Sequence, residues 1–184
     1  EGDNCTRNIL VGNSLPIRDM DLYTGTIPAH VRIYANRGVN GIDGHLATAS
    51  GIAHAQPEAQ TILVCGDLTA LHDIGALCLA SQTGLKMVVI DNGGGGVFNQ
   101  LEFAEESEVF KRFFTTEQTT PLLEICAAYG VHAREVKTLE ALDLESIFAE
   151  PGSSLCIVKV NGLDAQQARI AIQSSIQMML EQDA

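Results

Sequence analysis

The sequence predicts an α/β fold in which a doubly wound, mainly parallel sheet of six strands carries helices on both faces. Short apolar runs alternate with segments of helical periodicity, and this β–α alternation builds parallel sheets through right-handed crossovers. Four of the runs are apolar or β-branched almost throughout, which is typical of strands covered on both faces. The 184 residues fit one such unit, so we expect residues 1–184 to form a single domain.

The individual elements follow from these patterns in chain order. Helical segments lie between the runs, with Pro121 marking a helix start and Gly130 a helix stop. The predicted strands cover residues 8–11, 31–35, 61–65, 86–90, 131–135 and 154–160, and the predicted helices cover residues 44–54, 68–81, 121–129, 139–149 and 165–181.

Composition narrows the class of protein. The chain has 23 Asp and Glu residues and 11 Lys and Arg residues, which gives a net charge of −12. Because a surface this acidic repels the phosphate backbone of nucleic acids, no nucleic-acid partner is expected. No apolar run approaches the ~20 residues that span a bilayer, so no membrane span is expected. The five cysteines form no CxxC pair. Four of them lie in apolar strand or helix patterns, where a reduced thiol packs as a small apolar side chain: Cys65, Cys78, Cys126 and Cys156. This cysteine usage favours a cytoplasmic protein.

Unusual residues concentrate in the loops that follow the first four predicted strands. These loops read GNSLPIRD, NRGVNGIDG, GDLTALHD and DNGGGGVFNQL. In doubly wound sheets, ligands bind at the carboxyl ends of the strands. The clustering therefore predicts a ligand site built from these four loops.

Two side chains in these loops predict a metal site. Asp67 leaves the third predicted strand and Asn92 leaves the fourth, so their side-chain oxygens should meet at one rim of the sheet. Mg²⁺ prefers oxygen ligands, commonly carboxylates plus substrate phosphates, and the backbone carbonyl of Gly94 offers a third protein oxygen. The same ligands suit Mn²⁺. Two oxygens of a diphosphate and a water would complete the shell.

The glycine run predicts close contact with that diphosphate. Residues 93–96 lack Cβ atoms, so their backbone can approach phosphates and present N–H donors, and the helix from Leu68 adds its N-terminal dipole. The chain has no GxxxxGK[ST] P-loop and no GxGxxG after the first strand, which favours a small diphosphate cofactor over a nucleotide. A Gly-Asp pair alone is more often a turn, and a glycine run alone more often a flexible loop. Their combination predicts the site.

This combination resembles the binding signature of thiamine-diphosphate enzymes. From about residue 10 to residue 101, GNSLPIRD, NRGVNGID, GDLTALHD and GGGVF resemble the matching stretches of the SEPHCHC (2-succinyl-5-enolpyruvyl-6-hydroxy-3-cyclohexene-1-carboxylate) synthase family of menaquinone biosynthesis. That family decarboxylates 2-oxoglutarate and adds the succinyl semialdehyde unit to isochorismate. The resemblance therefore implies a thiamine-diphosphate-binding fold, a transferase activity and these two small-molecule substrates.

The resemblance also implies roles for individual residues. Arg18 and Arg37 match the family's active-site arginines and would clamp substrate carboxylates, since both substrates are dicarboxylates. Ile42 would support the bent cofactor that brings its aminopyrimidine against the thiazolium carbon. The metal ligands would be Asp67, Asn92 and the Gly94 carbonyl, and the cofactor-binding residues would be Ser14, Gly66, Asp67, Leu68, Thr69, Asn92, Gly94, Gly95, Gly96, Val97, Phe98 and Leu101, the last three as an apolar wall beside the thiazolium.

The chain departs from the family pattern at two positions. Asp91 stands where the family often has Asn, which adds negative charge near a diphosphate unless its side chain points away. Asn40 stands where Ser is common. Asn13 and Asn36, with Ser14, would hydrogen-bond near the reacting carbon.

A further residue of thiamine catalysis is expected outside this chain. In this superfamily a Glu that activates the aminopyrimidine comes from a pyrimidine-binding domain, usually on a neighbouring subunit of a homo-oligomer. The chain begins without an initiator Met and without the features of a secretory signal. We therefore expect a domain excised from a longer enzyme, inactive alone and at most a weak cofactor binder.

Three alternatives remain open at the level of sequence. The chain could come from another thiamine-diphosphate enzyme, such as a 2-oxo-acid decarboxylase or an acetohydroxyacid synthase, although a neutral or monoanionic acceptor would not require both Arg18 and Arg37. It could be a non-catalytic nucleotide- or metal-sensing α/β module, which would bind a nucleotide in preference to thiamine diphosphate. It could also be a structural oligomerisation domain with an incidental glycine loop.

Overall fold

A parallel six-stranded sheet organises the described part of the chain. The computed structural model describes residues 5–101, 108–138 and 141–182. The strands are Arg7–Val11 (β1), Val31–Tyr34 (β2), Gln60–Gly66 (β3), Lys86–Asp91 (β4), His132–Val136 (β5) and Ser154–Lys159 (β6), in the spatial order β2-β1-β3-β4-β6-β5. Each neighbouring pair is parallel. The predicted fold class is confirmed, and all six predicted strands are confirmed within one residue at each end.

Helices connect successive strands across the two faces of the sheet. They are Leu15–Tyr23 (α1), His45–Ala55 (α2), Asp67–His72 (α3), Leu77–Ala80 (α4), Glu108–Phe110 (α5), Leu122–Ala128 (α6), Leu144–Ala149 (α7) and Gly162–Gln182 (α8). Short 3₁₀ helices cover Ile74–Ala76 and Gly96–Gln100, and a π-helical turn covers Lys111–Thr115. No helix in these ranges combines the length and apolar character needed to cross a bilayer.

The structure corrects three of the helix predictions. The segment GNSLPIRD, predicted as a loop, contains the start of α1, which has Pro16 in its first turn, where a missing N–H costs nothing. The helix predicted over residues 68–81 is interrupted after His72, because the Asp73 carboxylate accepts a hydrogen bond from the Ala47 N–H (3.0 Å) and Gly75 weakens the helix beyond it. The helix predicted over residues 139–149 begins only at Leu144, although residues 139–140 lie outside the described residues.

One row of side chains across the sheet forms the centre of the core. Leu10, Leu63, Met87 and Leu155 occupy matching register positions on β1, β3, β4 and β6, and each is at most 1% exposed. Tyr34 and Ala133 continue the row onto the edge strands, where they are only partly buried. The apolar runs of the sequence are therefore the inner strands, covered on both faces as predicted.

The cysteines fill the interior at three positions. Cys65, Cys126 and Cys156 are buried, and no disulfide bond joins cysteines of the described residues. The prediction that Cys78 packs in the same way is wrong. The helix α4 buries Leu77 and Ala80, and its Cys78 side chain is exposed to solvent.

Candidate cofactor and metal site

The carboxyl ends of β3 and β4 bring two predicted ligands to one rim. Gly66 is paired with Ile90 in the sheet, so Asp67 lies level with Asp91, and Asn92 follows directly. The Asp67 side chain is buried, and its two oxygens accept hydrogen bonds from the N–H groups of Leu68 (2.8 Å) and Gly94 (2.7 Å). The carboxylate therefore holds the glycine loop against the start of α3.

Burial also changes the acidity of this carboxyl. The pKa of Asp67 is raised from 3.8 to about 6, mainly by burial and also by the neighbouring Asp91, against the lowering effect of the N–H donors of Leu68 and Gly94. A carboxylate in a poorly solvated, negatively charged position gains from a nearby cation. The position suits a metal ligand.

Asn92 offers the second oxygen. Its Oδ1 atom is buried and has no hydrogen-bond partner in the described structure. A buried acceptor without a partner costs about 1–3 kcal/mol, and such an atom calls for an explanation. A hard cation between Asn92 and Asp67 would supply the missing partner, because amide and carboxylate oxygens are both magnesium ligands.

The glycine loop is shaped by close packing. Gly94 has a φ of +119°, and a Cβ atom there would overlap the carbonyl oxygen of Thr115. A Cβ atom on Gly95 would overlap the carbonyl oxygen of Phe114, and one on Gly96 would overlap the side-chain amide of Asn92. Side chains are therefore excluded from these positions by neighbouring backbone and by the candidate ligand itself.

The hydrogen bonds of this loop differ from the pattern expected of a phosphate nest. The Gly93 N–H donates to the Asp91 side chain, and the Gly94 N–H donates to the Asp67 side chain. The Gly95 N–H donates to the Thr115 carbonyl, and the Gly96 N–H donates to the Gly94 carbonyl. The Gly94 carbonyl, the third predicted metal ligand, keeps one lone pair beyond the bond from Gly96. Contact between the loop and a diphosphate remains a prediction.

Asp67, Asn92 and the Gly94 carbonyl together fit a hard divalent cation that receives its remaining ligands from elsewhere. The described residues contain no group of three or more His, Cys, Asp or Glu side chains that could enclose a metal. These three residues supply one carboxylate, one amide and one carbonyl oxygen. This donor set matches a cation that is also bound by phosphate oxygens.

A cavity of about 230 Å³ opens beside these ligands. Its walls come from the loops after β1, β2, β3 and β4 and from the first half of α8. Twelve of the predicted site residues line it: Ser14, Ile42, Gly66, Asp67, Leu68, Thr69, Asn92, Gly94, Gly95, Gly96, Val97 and Phe98. The structure thus brings most of the candidate set together, and their roles remain to be tested.

Three predicted residues lie outside that cavity. Arg18 and Arg37 are exposed and line a neighbouring depression of about 680 Å³ between α1 and β2. Arg18 donates to the Ser14 carbonyl (2.6 Å), and Arg37 donates to the Asn13 side chain (3.1 Å), so both guanidinium groups lie beside the loop that bounds the cavity. Leu101 is 38% exposed and ends the glycine-loop segment.

Asn13 joins the loops after β1 and β2. Its buried side chain donates to the carbonyls of Asn36 (2.9 Å) and Gly41 (2.6 Å). His45, also buried, accepts from the Asn13 N–H at Nε2 and contacts the Ile42 and Asp43 carbonyls through Nδ1, a pattern that fits the neutral ring with the proton on Nδ1. These contacts fix the position of the Ile42 loop.

Ser14 adopts a conformation that non-glycine residues rarely adopt. Its φ is 75° and its ψ is −129°, directly before the first residue of α1. Strain of this kind costs about 1–3 kcal/mol and clusters at functional sites. The side chain lines the cavity, which gives this strained residue a position in the candidate site.

Sequence reasoning missed the contribution of α8. Gly162, Ala165, Gln166 and Arg169 are spaced on one helical face and line the cavity together with Asp19 of α1. Arg169 forms a two-point ion pair with Asp19. Because basic residues are scarce in this chain, Arg169 could have been singled out from the sequence as a candidate site residue. Its place in the cavity could not be predicted, because the position of α8 depends on β6 lying beside β4, which the sequence pattern does not specify.

Comparison with known proteins defines the class. The family described as "Thiamine pyrophosphate enzyme, C-terminal TPP binding domain" matches residues 26–158. The chain belongs to this family, which confirms the thiamine-diphosphate enzyme class predicted from the four loops. Thiamine pyrophosphate is another name for thiamine diphosphate.

Curated relatives are more specific. A protein named 2-succinyl-5-enolpyruvyl-6-hydroxy-3-cyclohexene-1-carboxylate synthase from Synechocystis sp. is 36% identical over 165 residues, covering 88% of this chain and 27% of the relative. A protein of the same name from Synechococcus sp. (strain RCC307) is 37% identical over 166 residues, covering 88% and 28%. The predicted resemblance to SEPHCHC synthases is confirmed, and the chain spans about a quarter of the length of these relatives.

A solved structure supports the fold. The X-ray structure of a protein described as a thiamin diphosphate-dependent enzyme from Mycobacterium smegmatis superposes with a TM-score of 0.66 at 18% sequence identity. The match covers 84% of this chain and 28% of that one. At this identity the likeness concerns the architecture alone.

Proposed function

We propose that this chain is the diphosphate- and metal-binding domain of a SEPHCHC synthase, a transferase of menaquinone biosynthesis. The full-length enzyme decarboxylates 2-oxoglutarate and adds the resulting succinyl semialdehyde unit to isochorismate. The names of the curated relatives support the reaction, and the cavity beside Asp67 and Asn92 supports the cofactor.

The unpartnered Oδ1 atom of Asn92 is the observation that carries the cofactor assignment. It is buried on the same rim as the Asp67 carboxylate, whose pKa burial raises to about 6. Both oxygens gain from a divalent cation between them. In this proposal Mg²⁺, or Mn²⁺ with the same ligands, joins Asp67, Asn92 and the Gly94 carbonyl to the diphosphate.

Bound thiamine diphosphate supplies a nucleophilic carbon and an electron sink for decarboxylation. The residues of this chain bind and orient it. Gly66, Leu68, Thr69, Gly95 and Gly96 lie along the diphosphate, and Ile42 supports the bent conformation of the cofactor. Ser14, Val97 and Phe98 line the cavity. In this proposal Val97 and Phe98, together with Leu101 beyond the cavity, would form an apolar wall that excludes water from the reacting centre, which favours loss of the substrate carboxylate.

Arg18 and Arg37 bind substrate carboxylates in this assignment. Both are exposed on one depression that adjoins the cofactor cavity through the Asn13–Ser14 loop. A guanidinium group can hold a carboxylate with two parallel hydrogen bonds. Two arginines suit a reaction whose donor and acceptor are both dicarboxylates.

The remaining parts of the catalyst lie outside this chain. We assign the Glu that activates the aminopyrimidine to a pyrimidine-binding domain of a neighbouring subunit in a homo-oligomer. The isolated chain is then inactive, and the parent enzyme works in the cytoplasm.

Calorimetric titration of the full-length protein with thiamine diphosphate tests the cofactor assignment. Binding is expected with Mg²⁺, to be lost in EDTA and to be lost in Asp67→Asn. Glu58→Gln, which removes the same charge from an exposed loop residue, is the matched control and should bind as the wild type does. Wild-type protein that binds a nucleotide but no thiamine diphosphate would support the sensing module instead.

Turnover assays test the substrates. The wild type should release CO₂ from 2-oxoglutarate but not from pyruvate, and should consume isochorismate as the acceptor. Arg18→Met and Arg37→Met should raise the KM for these dicarboxylates while leaving the affinity for thiamine diphosphate unchanged. Efficient use of pyruvate would favour an acetohydroxyacid synthase or another decarboxylase.

A further inference from the structure

Three charged residues lie side by side at the carboxyl rim of the sheet. Asp91 at the end of β4 is paired with Lys159 at the end of β6. Asp67 follows Gly66, the register partner of Ile90, and so lies level with Asp91 on the other side. The row places a second carboxylate between the candidate metal ligand and a lysine.

Asp91 links that lysine to the glycine loop. One of its carboxylate oxygens accepts from the Lys159 ammonium group (2.5 Å), and the other accepts from the Gly93 N–H (3.0 Å). The Asp91 side chain is 19% exposed, so most of it is withdrawn from solvent. The Nζ atom of Lys159 also lies 3.8 Å from the Oε2 atom of Glu135.

The position of Asp91 creates an electrostatic problem. An uncompensated carboxylate beside Asp67 would repel the phosphate oxygens that share the metal. The Lys159 ammonium group and the Gly93 N–H both donate hydrogen bonds to the Asp91 carboxylate, so a positive charge and a backbone donor lie directly against it. Lys159 is therefore the directly bonded counter-ion of Asp91.

We propose that Lys159 is a positioning residue of the cofactor site, which neutralises Asp91 so that this carboxylate can hold the Gly93 end of the glycine loop beside a diphosphate. The inference rests on the proposed function, since it requires the diphosphate at this rim. Lys159 is not among the residues that line the cavity. It acts through Asp91, whose extra charge relative to an Asn would otherwise weaken binding.

The competing explanation is an ordinary surface ion pair that has no effect on the site. Such pairs contribute little to stability. Asp91→Asn separates the two explanations, because an amide oxygen can still accept from the Gly93 N–H but carries no charge to neutralise. If Lys159 acts through the charge of Asp91, removing the lysine should matter only while that charge is present.

The experiment is a double-mutant cycle on the full-length protein, with the affinity for thiamine diphosphate at saturating Mg²⁺ measured by calorimetry. Lys159→Met should weaken binding by about tenfold, a coupling typical of directly bonded charges. Asp91→Asn should bind at least as tightly as the wild type, and Asp91→Asn/Lys159→Met should bind as Asp91→Asn does. Lys159→Arg should bind as the wild type does.

Lys137→Met is the matched control, since Lys137 pairs with Glu135 and not with Asp91. It should leave the affinity unchanged. Hydrogen exchange supplies a second readout without cofactor: the Gly93 amide should exchange faster in Lys159→Met and return to the wild-type rate in Lys159→Arg.

The outcomes are separable. Wild-type affinity in Lys159→Met, or equally weak binding in Lys159→Met and the double variant, would overturn the role of Lys159 and leave the proposed function standing. Absence of Mg²⁺-dependent binding by the wild type would overturn both. Thermal unfolding of each variant shows whether it is folded, and Lys159→Gln, which also removes the positive charge, replaces Lys159→Met in the cycle if Lys159→Met is not folded.

Discussion

Arg169 in α8 and Asp19 in α1 form a two-point ion pair at the wall of the candidate cofactor cavity, although 150 residues separate them in the chain. Their side chains are only 20% and 28% exposed, and Asp19 raises the pKa of the guanidinium group further above its ordinary value. The pair joins the helix after β1 to the helix after β6. It thereby closes the cavity between two distant parts of the chain.

Arg169→Met is expected to loosen α8 locally. The pair is partly exposed, so we expect the free energy of global unfolding to fall by only about 1 kcal/mol. Amide hydrogen exchange in residues 165–182 should accelerate, because this pair is a main polar anchor of the helix. Exchange measured by mass spectrometry checks this.

Two further variants control the Arg169 experiment. Asp19→Asn should reproduce the effect, and the double variant should add nothing to it. Arg32→Met, at an exposed arginine bonded to Gln56, should leave exchange in α8 unchanged. Additive effects of the two single changes would contradict a direct pair.

Asn92→Ala is expected to separate stability from binding. The buried Oδ1 atom has no partner, so its removal should leave the free energy of unfolding of the metal-free protein unchanged or raise it by about 1 kcal/mol. The same variant should lose Mg²⁺-dependent binding of thiamine diphosphate. Urea unfolding and calorimetry measure the two effects.

Asn36→Ala is the matched control for Asn92→Ala. The Asn36 amide donates to the Gly44 carbonyl and the Thr48 hydroxyl, so its loss should destabilise the protein. A large loss of stability in metal-free Asn92→Ala would mean that its side chain has a structural role.

Ser14→Gly and Ser14→Ala test the strained backbone before α1. Both variants remove the hydroxyl group, but only glycine relieves the positive φ of 75°. The glycine variant should be more stable than the alanine variant by about 1–3 kcal/mol in urea unfolding. Equal stability would mean that the surrounding structure imposes no strain at this residue.

Leu63→Ala tests the central row of the sheet. Leu63 is fully buried on β3, between Leu10 and Met87, so its truncation should cost about 2–5 kcal/mol of unfolding free energy. Leu79→Ala, at a residue that is 48% exposed on α4, should change stability by no more than about 0.5 kcal/mol. Similar losses for the two variants would contradict the core described above.

Cys126 should give stability a dependence on alkaline pH. Burial raises the pKa of its thiol from 9.0 to about 11, so the folded protein keeps the proton while the unfolded chain loses it. The contribution is fully present below pH 9 and is lost as the pH rises to about 11, at about 1.4 kcal/mol per pH unit. Cys126→Ala should lack this part of the slope, which unfolding curves recorded from pH 8 to pH 11 would reveal. Parallel profiles for the two proteins would contradict the assignment.

The strands and the shared rim position of Asp67 and Asn92 could be predicted because both depend on local patterns. Inner strands are apolar on both faces, and consecutive strand ends in a parallel sheet meet at one rim, so Asp67 and Asn92 follow from their spacing. The contributions of Lys159 and Arg169 could not be predicted in this way, because they require β6 beside β4. That order is decided by tertiary packing and leaves no periodic signal.

The helix predictions failed where tertiary contacts outweigh periodicity. The segment from Leu15 forms α1 beside β1 and β3, where Pro16 is its buried residue. Asp73, in the middle of a continuous helical pattern, instead bonds to the backbone of α2 and ends α3. Arg18 and Arg37 lie in a depression separate from the main cavity. Their position also depends on α1, where the sequence pattern predicts a loop.

The strand order has a consequence for how such a domain can diversify. The two arginines are attached to the ends of β1 and β2, whereas Asp67 and Asn92 are attached to β3 and β4, on the other side of the point where the chain reverses its direction of winding. In the proposed function, the arginines that choose the reactants and the ligands that hold the metal therefore follow different strands, so that substitutions of Arg18 and Arg37 would change the choice of reactants while Asp67 and Asn92 keep their places.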